Sequence, residues 1–384
     1  KMNKIIKIIL FLTFAFLTLS EKVIANEKIK IGLLVPLTGK NSEIGQSIVK
    51  STRLAINQIN NPSIEIIPKD TRSDPANTLK SAKELTELGV KIIIGPVFNT
   101  NLIYLDELKG VTFLSLTNKD NNDSNNIINA GINARSQLRA IKKFIKLKKI
   151  KKTIFLTPDV SYQNEIKRAM SHTKIKVLKS YIYNTDPTKL TKQIEKITNY
   201  GRRKQNLLDE IIRLEKSDQN NKERLIEKLN KKDTLGNVNF DSVIIADFDE
   251  SLKSVTTSLL YTDISPKDKY FITLNQWFDE SLLKETSSQP LYFPSINKKN
   301  YEEFSKRYYE KFNQYPNQLS FLSFDLVGLV YYLVIQNNSL VDEKMFMKKN
   351  LFKGKVGIFE IKDNKINHIL NFYKVEDEKF KKIF

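Results

Sequence analysis

Lys28–Asn60, KIKIGLLVPLTGKNSEIGQSIVKSTRLAINQIN, is the stretch on which the reading of this chain turns. Ile29 to Leu34 is a short apolar run of the kind a parallel strand buried on both faces requires. It stops at Pro36. Leu37-Thr38-Gly39-Lys40-Asn41-Ser42 follows, rich in residues that turn the chain and leave backbone N–H groups and hydroxyls free. Beyond it Ile44, Ile48, Leu54, Ala55 and Ile59 recur at helical spacing, so the unit reads strand, turn, helix. Open α/β sheets collect ligands at the carboxyl ends of their strands, beside such a turn and helix N-terminus, which makes Thr38, Asn41 and Ser42 candidate ligand contacts. Taken alone, the same unit also suits the first repeat of an unrelated α/β enzyme.

Outward from this unit the rhythm repeats. Ser63 to Ile67 reads as a second strand, and Asp74 caps a helix with Pro75 at its first position. Asp70, between them, suits either a ligand contact or a loop cap. Lys91 to Ile94 and Val111 to Leu116 read as strands ending in Phe98-Asn99-Thr100 and Thr117-Asn118. A polar loop is expected from Asp120 to Asn133 and a helix from Arg135 to Leu147. A second series then begins with strand Thr153 to Leu156 and its loop Asp159 to Tyr162, strand Ile175 to Tyr183, and a helix opened by Asp186-Pro187. Tyr200 to Lys232 breaks the rhythm. It is densely charged, with Leu207, Leu208, Ile211, Ile212, Leu214, Leu225, Ile226 and Leu229 at helical spacing. That pattern predicts a projecting helix or helical hairpin, either a solvated insertion or a partner-docking arm. Ser242 to Ala246 and Tyr270 to Leu274 are further strands, ending at Asp247 and at Asn275-Gln276-Trp277; Trp277 is placed either to stack on a ligand or to pack. Pro294 is read as a return to the first half. Helices at Tyr301 to Phe312 and Leu319 to Ile335, a hairpin over Lys353 to Lys365 and a last strand Ile369 to Val375 complete the expectation.

The 384 residues, 40% of them hydrophobic, suffice for two lobes with real cores. The chain has no cysteine, which excludes disulfides and thiol chemistry and argues against a lipidated N-terminus. The two histidines, His172 and His368, lie far apart and suggest no metal or triad site. Residues 1–25 have the parts of an export leader: Lys1, Lys4 and Lys7, the apolar Ile8 to Leu19 with its Phe11 to Phe16 cluster, and Val23-Ile24-Ala25. Cleavage after Ala25 and release into the periplasm are expected, with an uncleaved anchor as the alternative, although the apolar stretch is short for a bilayer. The formal charge of +20 invites a nucleic-acid reading. Lysines spread over the whole chain carry it, and no basic block alternates with aromatics, so no nucleic-acid partner is expected. No G-x-S-x-G, G-x-x-x-x-G-K or H-E-x-x-H motif occurs, and acidic pairs such as Asp247 and Asp249 arise freely among 43 acids. No catalysis, cofactor or metal is therefore expected.

The opening resembles that of type I periplasmic binding proteins, the leucine-binding-protein superfamily, whose first strand and loop read IGxxxPLTG followed by G and Q. The matching positions are Ile31, Gly32, Pro36, Leu37, Thr38, Gly39, Gly45 and Gln46. Asp159-Val160-Ser161-Tyr162 matches the superfamily's D-x-x-Y-G except that Gln163 replaces the glycine, and Phe324-Asp325 fits its late aromatic-Asp helix. The resemblance implies an α/β fold of two lobes, each a mainly parallel sheet flanked by helices, hinged by chain crossings. Residues 26–142 plus 294–338 are expected in lobe 1, and 143–293 plus 339–384 in lobe 2, with a charged insertion at 200–232. It also implies a ligand cleft between the lobes, with candidates Thr38, Asn41, Ser42, Phe98, Asn99, Thr100, Thr117, Asn118, Asp159, Tyr162, Asp247, Asn275 and Trp277.

Within that superfamily, Glu65 to Thr71, Gly95-Pro96-Val97-Phe98, Leu114 to Asn118 and the insertion ending in Asp233-Thr234-Leu235-Gly236 resemble penicillin-binding protein activators of alphaproteobacterial type, over about residues 29 to 340. That resemblance implies a regulator of peptidoglycan synthesis whose partner is a cell-wall synthase. The alternative is the solute-binding protein of an ABC importer, serving a permease and holding an amino acid or another small polar solute. Amino-acid binders of the superfamily usually supply a serine-rich loop after the third strand, an Ala-Thr pair after the fourth and an acid for the ammonium. Here Phe98, Asn99 and Thr100 fill the first position and Asn275 or Gln276 stands where the acid is expected, which leaves Asp247, Asp249 or the later Asp279 as substitutes while Thr117 survives. An unpaired buried charge is costly, so this clamp for a zwitterion is incomplete.

Overall fold

The computed structural model describes residues 28–119, 124–338 and 340–384. The expected leader, residues 1–25, and Asp120 to Asp123 of the expected loop lie outside the described residues. The opening unit folds as its pattern dictates. β1 (Ile29–Val35) is buried almost throughout and runs parallel to β2 (Ile64–Asp70) on one side and β3 (Ile92–Ile94) on the other. α1 (Ser42–Ile59) returns over the sheet. Its start touches the strand end so closely that a Cβ on Gly45 would lie 1.8 Å from the Pro36 carbonyl oxygen, which is why only glycine fits there. α2 (Pro75–Glu87) begins at Asp74, whose carboxylate accepts the Asn77 N–H at 2.8 Å. β4 (Thr112–Ser115) and β5 (Ile127–Asn129) complete a five-stranded, wholly parallel sheet in the order β2-β1-β3-β4-β5. β5 corrects the expected polar loop. Three buried residues are too few to display a period among so many asparagines.

α3 (Ala134–Leu147) leaves the end of β5 and lies against the second sheet, where Phe144 stacks on Phe372 at 4.5 Å and meets Tyr270 and Tyr292. That sheet gathers β6 (Thr153–Pro158), β7 (Lys179–Tyr183), β8 (Ser242–Ile245), β9 (Tyr270–Thr273) and β10 (Leu291–Ser295), all parallel. α4 (Gln163–Thr173), α5 (Pro187–Ile197) and α8 (Asp249–Tyr261) connect them. The charged stretch folds as the helical pair α6 (Tyr200–Glu215) and α7 (Lys222–Leu229) between α5 and β8.

After β10 and α9 (Ser281–Lys284), which precedes it, come α10 (Lys298–Phe312) and α11 (Ser320–Gln336). α11 is apolar around its circumference and is buried against α1, with Ser320 and Ser47 sharing a hydroxyl hydrogen bond of 2.7 Å. β11 (Asn350–Lys353), β12 (Ile358–Lys362) and β13 (Lys365–His368) form a separate antiparallel sheet beside β5. β14 (Asn371–Glu376) and β15 (Lys379–Lys382) then close the seven-stranded sheet, ordered β15-β14-β10-β9-β8-β6-β7.

β10 is a second departure from expectation, because Pro294 argues against an interior strand. Its antiparallel partner Phe372 donates its N–H to the Phe384 carbonyl, away from β10, so Pro294–Phe372 is a pair without mutual backbone bonds. The parallel ladder to β9 involves only Leu291 and Tyr292. The missing proline N–H therefore costs neither ladder a bond.

Candidate functional site

Strand-end loops from both sheets face one another across a cavity of about 530 Å³. From the five-stranded sheet come Asn41 and Ser73, then Val97 to Thr100 after β3, and Leu116 to Lys119 after β4. The second sheet contributes Phe248 after β8, with Asn275 and Trp277 after β9. Ile132, Gln137 and Leu319 fill the seam. Of the candidates named from sequence, Asn41, Phe98, Asn99, Thr100, Thr117, Asn118, Asn275 and Trp277 are brought together here.

The others serve nearby, outside the cavity lining. Thr38 is exposed and donates its hydroxyl to Asp70 at 2.6 Å. Asp70 also accepts the N–H groups of Leu37 and Arg72 at 2.8 Å, so it is the cap of the β1–α1 loop. Burial pushes its carboxyl up, but these donors together outweigh burial and hold it below the usual range. Ser42 opens α1, and Asp159 is an exposed residue of the loop after β6. Tyr162 is half-buried behind Phe248, with ring centroids 6.4 Å apart, and donates its hydroxyl to the Ala246 carbonyl at 3.1 Å.

Asp247 is 5% exposed and lies beneath the Phe248 wall. The Tyr183 hydroxyl and the Phe248 N–H donate to it, and burial pushes its carboxyl up. Burial beside this carboxylate also raises the Tyr183 and Tyr162 hydroxyls. The group is engaged by the fold instead of being offered to a ligand. The two substitute acids fare no better, since Asp249 and Asp279 line a separate crevice between α8 and α9. Asp279 there holds the Ser281 N–H at 2.9 Å and its hydroxyl at 2.7 Å.

Sequence reasoning missed Ser73, Lys119, Gln137, Phe248 and Leu319. Phe248, one residue beyond a named strand end, was within reach of the strand-end rule; Gln137 lies inside α3 and Leu319 immediately precedes α11, and neither carries a local signal. Gln137 Oε1 accepts the N–H of Asn275 at 2.9 Å, and Asn275 Oδ1 accepts both the Trp277 N–H at 3.0 Å and the Ser295 hydroxyl at 2.9 Å. Trp277 and Phe278 are held at φ of 49° and 57°, a left-handed conformation uncommon for large side chains. On the facing side, a Cβ on Gly131 would lie 2.3 Å from the Thr117 carbonyl oxygen, so glycine lets the two loops close up.

Among the described lining residues Lys119 is the sole ionisable one; the rest are amides, hydroxyls, aliphatics and the rings of Phe98, Phe248 and Trp277. Among the described residues no cluster of His, Asp or Glu could hold a metal ion, and no helix is long and apolar enough to cross a membrane. The arrangement suits holding a small molecule through hydrogen bonds and ring contacts.

Residues 28–201 match the model of a family described as periplasmic binding protein. No curated protein matches the sequence. Among solved structures, the LpoA C-domain from Haemophilus influenzae, described as a regulator of PBP1A, has a TM-score of 0.62 at 14% identity, covering 92% of this chain and 100% of that one. An ABC transporter substrate-binding protein from Desulfitobacterium hafniense in complex with Leu has a TM-score of 0.61 at 13% identity, covering 93% and 100%. An ABC transporter solute-binding protein from Rhodopseudomonas palustris in complex with 3,4-dihydroxybenzoic acid has a TM-score of 0.56 at 17% identity, covering 93% and 96%. At such identities the likeness is one of fold. The chain is accordingly of the type I periplasmic-binding-protein fold, two-lobed and leucine-binding-protein-like, and its residues 28–201 carry the periplasmic binding protein sequence pattern.

Proposed function

We propose that this is a non-catalytic, exported regulator of a cell-wall synthase, docking on it through the α6–α7 arm. The observation that carries this reading is the arm's surface. Leu208 and Ile212, one turn apart on α6, are 48% and 46% exposed amid Arg202, Lys204, Asp209 and Arg213, whereas Leu207 and Leu214 on the same helix are buried. An insertion that merely fills space turns its apolar stripe inward; this one keeps part of it outward, ringed by charge, as contact patches do. The similarity of fold to a domain described as a regulator of PBP1A supports the same reading.

A purified bifunctional synthase assayed for glycan polymerisation tests it. The full chain is expected to accelerate the synthase, and a Leu208→Asp, Ile212→Asp double variant with unchanged thermal stability is expected to lose the effect. The cavity of about 530 Å³ favours a second reading, the solute-binding component of an ABC importer. Absence of synthase stimulation, together with activation of a reconstituted permease–ATPase pair, would establish that one instead.

A further inference from the structure

We infer that the cleft accepts an organic anion with a flat apolar body and no free ammonium group. This goes beyond the regulator reading and does not involve the arm; it requires only that the cleft hold a small molecule.

An α-amino acid brings both a carboxylate and an ammonium. Lys119, next to the amides of Asn99 and Asn118 and the Thr117 hydroxyl, offers a cation and neutral donors for the first. No carboxylate among the described lining residues meets the second. Four acids near it among the described residues are turned elsewhere: Asp70 to the β1–α1 loop, Asp247 to Tyr183 and its own helix start, Asp249 and Asp279 to the crevice beyond Phe248. A desolvated ammonium left unpaired in this cleft would cost more than its ring or chain could recover. The apolar body has a matching surface. Phe98 stands on one wall and Phe248 on the other, while Trp277 is fixed by its N–H bond to Asn275 and backed by Phe321, whose ring centroid lies 6.0 Å away.

Trp277 is the sole tryptophan of the chain, so its fluorescence reports this cleft alone. The test titrates the full-length protein with 3-phenylpropanoate and with L-phenylalanine, which share ring, chain length and carboxylate and differ by the ammonium. Saturable change of emission is expected with 3-phenylpropanoate, with L-phenylalanine weaker by roughly a hundredfold. Lys119→Met is expected to weaken 3-phenylpropanoate by about tenfold at unchanged melting temperature. Equal or tighter binding of L-phenylalanine overturns the inference, as does no saturable response to either compound, or a Lys119→Met variant that binds as tightly as the parent. Synthase stimulation is read in a separate assay, so failure here leaves the regulator reading standing and failure there leaves this one.

Discussion

His368 shows how much one side chain can organise. It is fully enclosed at the end of β13, its Nε2 donating to the Ala130 carbonyl at 2.7 Å, its backbone N–H bound to the Ser136 hydroxyl at 2.9 Å, and its ring 4.8 Å from that of Phe359. The bond to a carbonyl fixes the proton on Nε2, which leaves Nδ1 a buried acceptor without a partner. Burial pushes the ring down to about 4, against an ordinary value of 6.5. Above pH 6.5 neither folded nor unfolded chain binds this proton, and the contribution to stability is complete. As pH falls towards 4 the unfolded chain takes up a proton that the fold refuses, at a cost of about 3 kcal/mol over the window. Asp325 works in the opposite sense. Burial pushes it up to about 6 even though the N–H groups of Lys355, Val356 and Gly357 bind it, so its contribution is complete below pH 3.8 and is lost as pH rises through about 6. The opposed slopes make whole-protein curves uninformative and a single-site comparison decisive. In urea unfolding, the stability advantage of the parent over His368→Asn is expected to shrink by about 2 kcal/mol between pH 7 and pH 5. An advantage independent of pH would mean that the ring takes up its proton in the fold as readily as in the unfolded chain.

At the scale of elements, the arm depends on an anchor inside its own base. Arg203 is 5% exposed and spends its guanidinium on three segments: Nε on the Thr198 carbonyl at 3.0 Å, Nη1 on the Thr234 hydroxyl at 2.9 Å, and Nη2 on the Thr262 carbonyl. It thereby ties α6 to the ends of α5 and α8 and to the returning chain. Arg203→Ala leaves two buried carbonyls without donors and is expected to destabilise by about 2 to 4 kcal/mol, with faster protease cleavage between α6 and α7. Unchanged stability and cleavage would show that Leu207 and Leu214 alone hold the arm. The helical pair itself was legible from its apolar spacing, and the anchor was not, since an arginine amid the many other charges of residues 200–232 gives no sign that it points inward. The same division runs through the fold. β1 and α1 are legible because burial on two faces and on one stripe writes periods of different length into Lys28–Asn60. β5, at three buried residues, is too short to display an alternation, and β10 contains a proline tolerated only through a pairing register that local sequence does not encode. In the cleft, loops at strand ends were found by rule, whereas Asp247 carries the same local signal and is turned under Phe248 by its bond to Tyr183, a residue distant in sequence.

At the scale of the molecule, the two large sheets are joined by short crossings: residues 130–133 from β5 to α3, 296–297 from β10 to α10, and 369–370 from β13 to β14. Lobe movement in such folds concentrates in connectors of this kind. His368 fastens the first crossing to the start of the third through Ala130 and Ser136, so relative motion has few free joints. Gln137, one turn into α3, then reaches the far wall of the cleft, and the chain of bonds from Gln137 to Asn275 to Trp277 makes the aromatic wall follow the crossing helix. Gln137→Ala removes the acceptor and leaves the Asn275 N–H buried without one, which is expected to cost about 1 to 3 kcal/mol. The loss of stability alone would fit any buried polar deletion. The distinguishing readout is Trp277: its emission is expected to shift to the red and its quenching by acrylamide to rise, while the cooperativity of unfolding, set by cores that Gln137 does not enter, stays that of the parent. A destabilised variant whose tryptophan emission and quenching match the parent's would show that the strained turn at Trp277 and Phe278 is held by its own strand, and that the wall moves independently of α3.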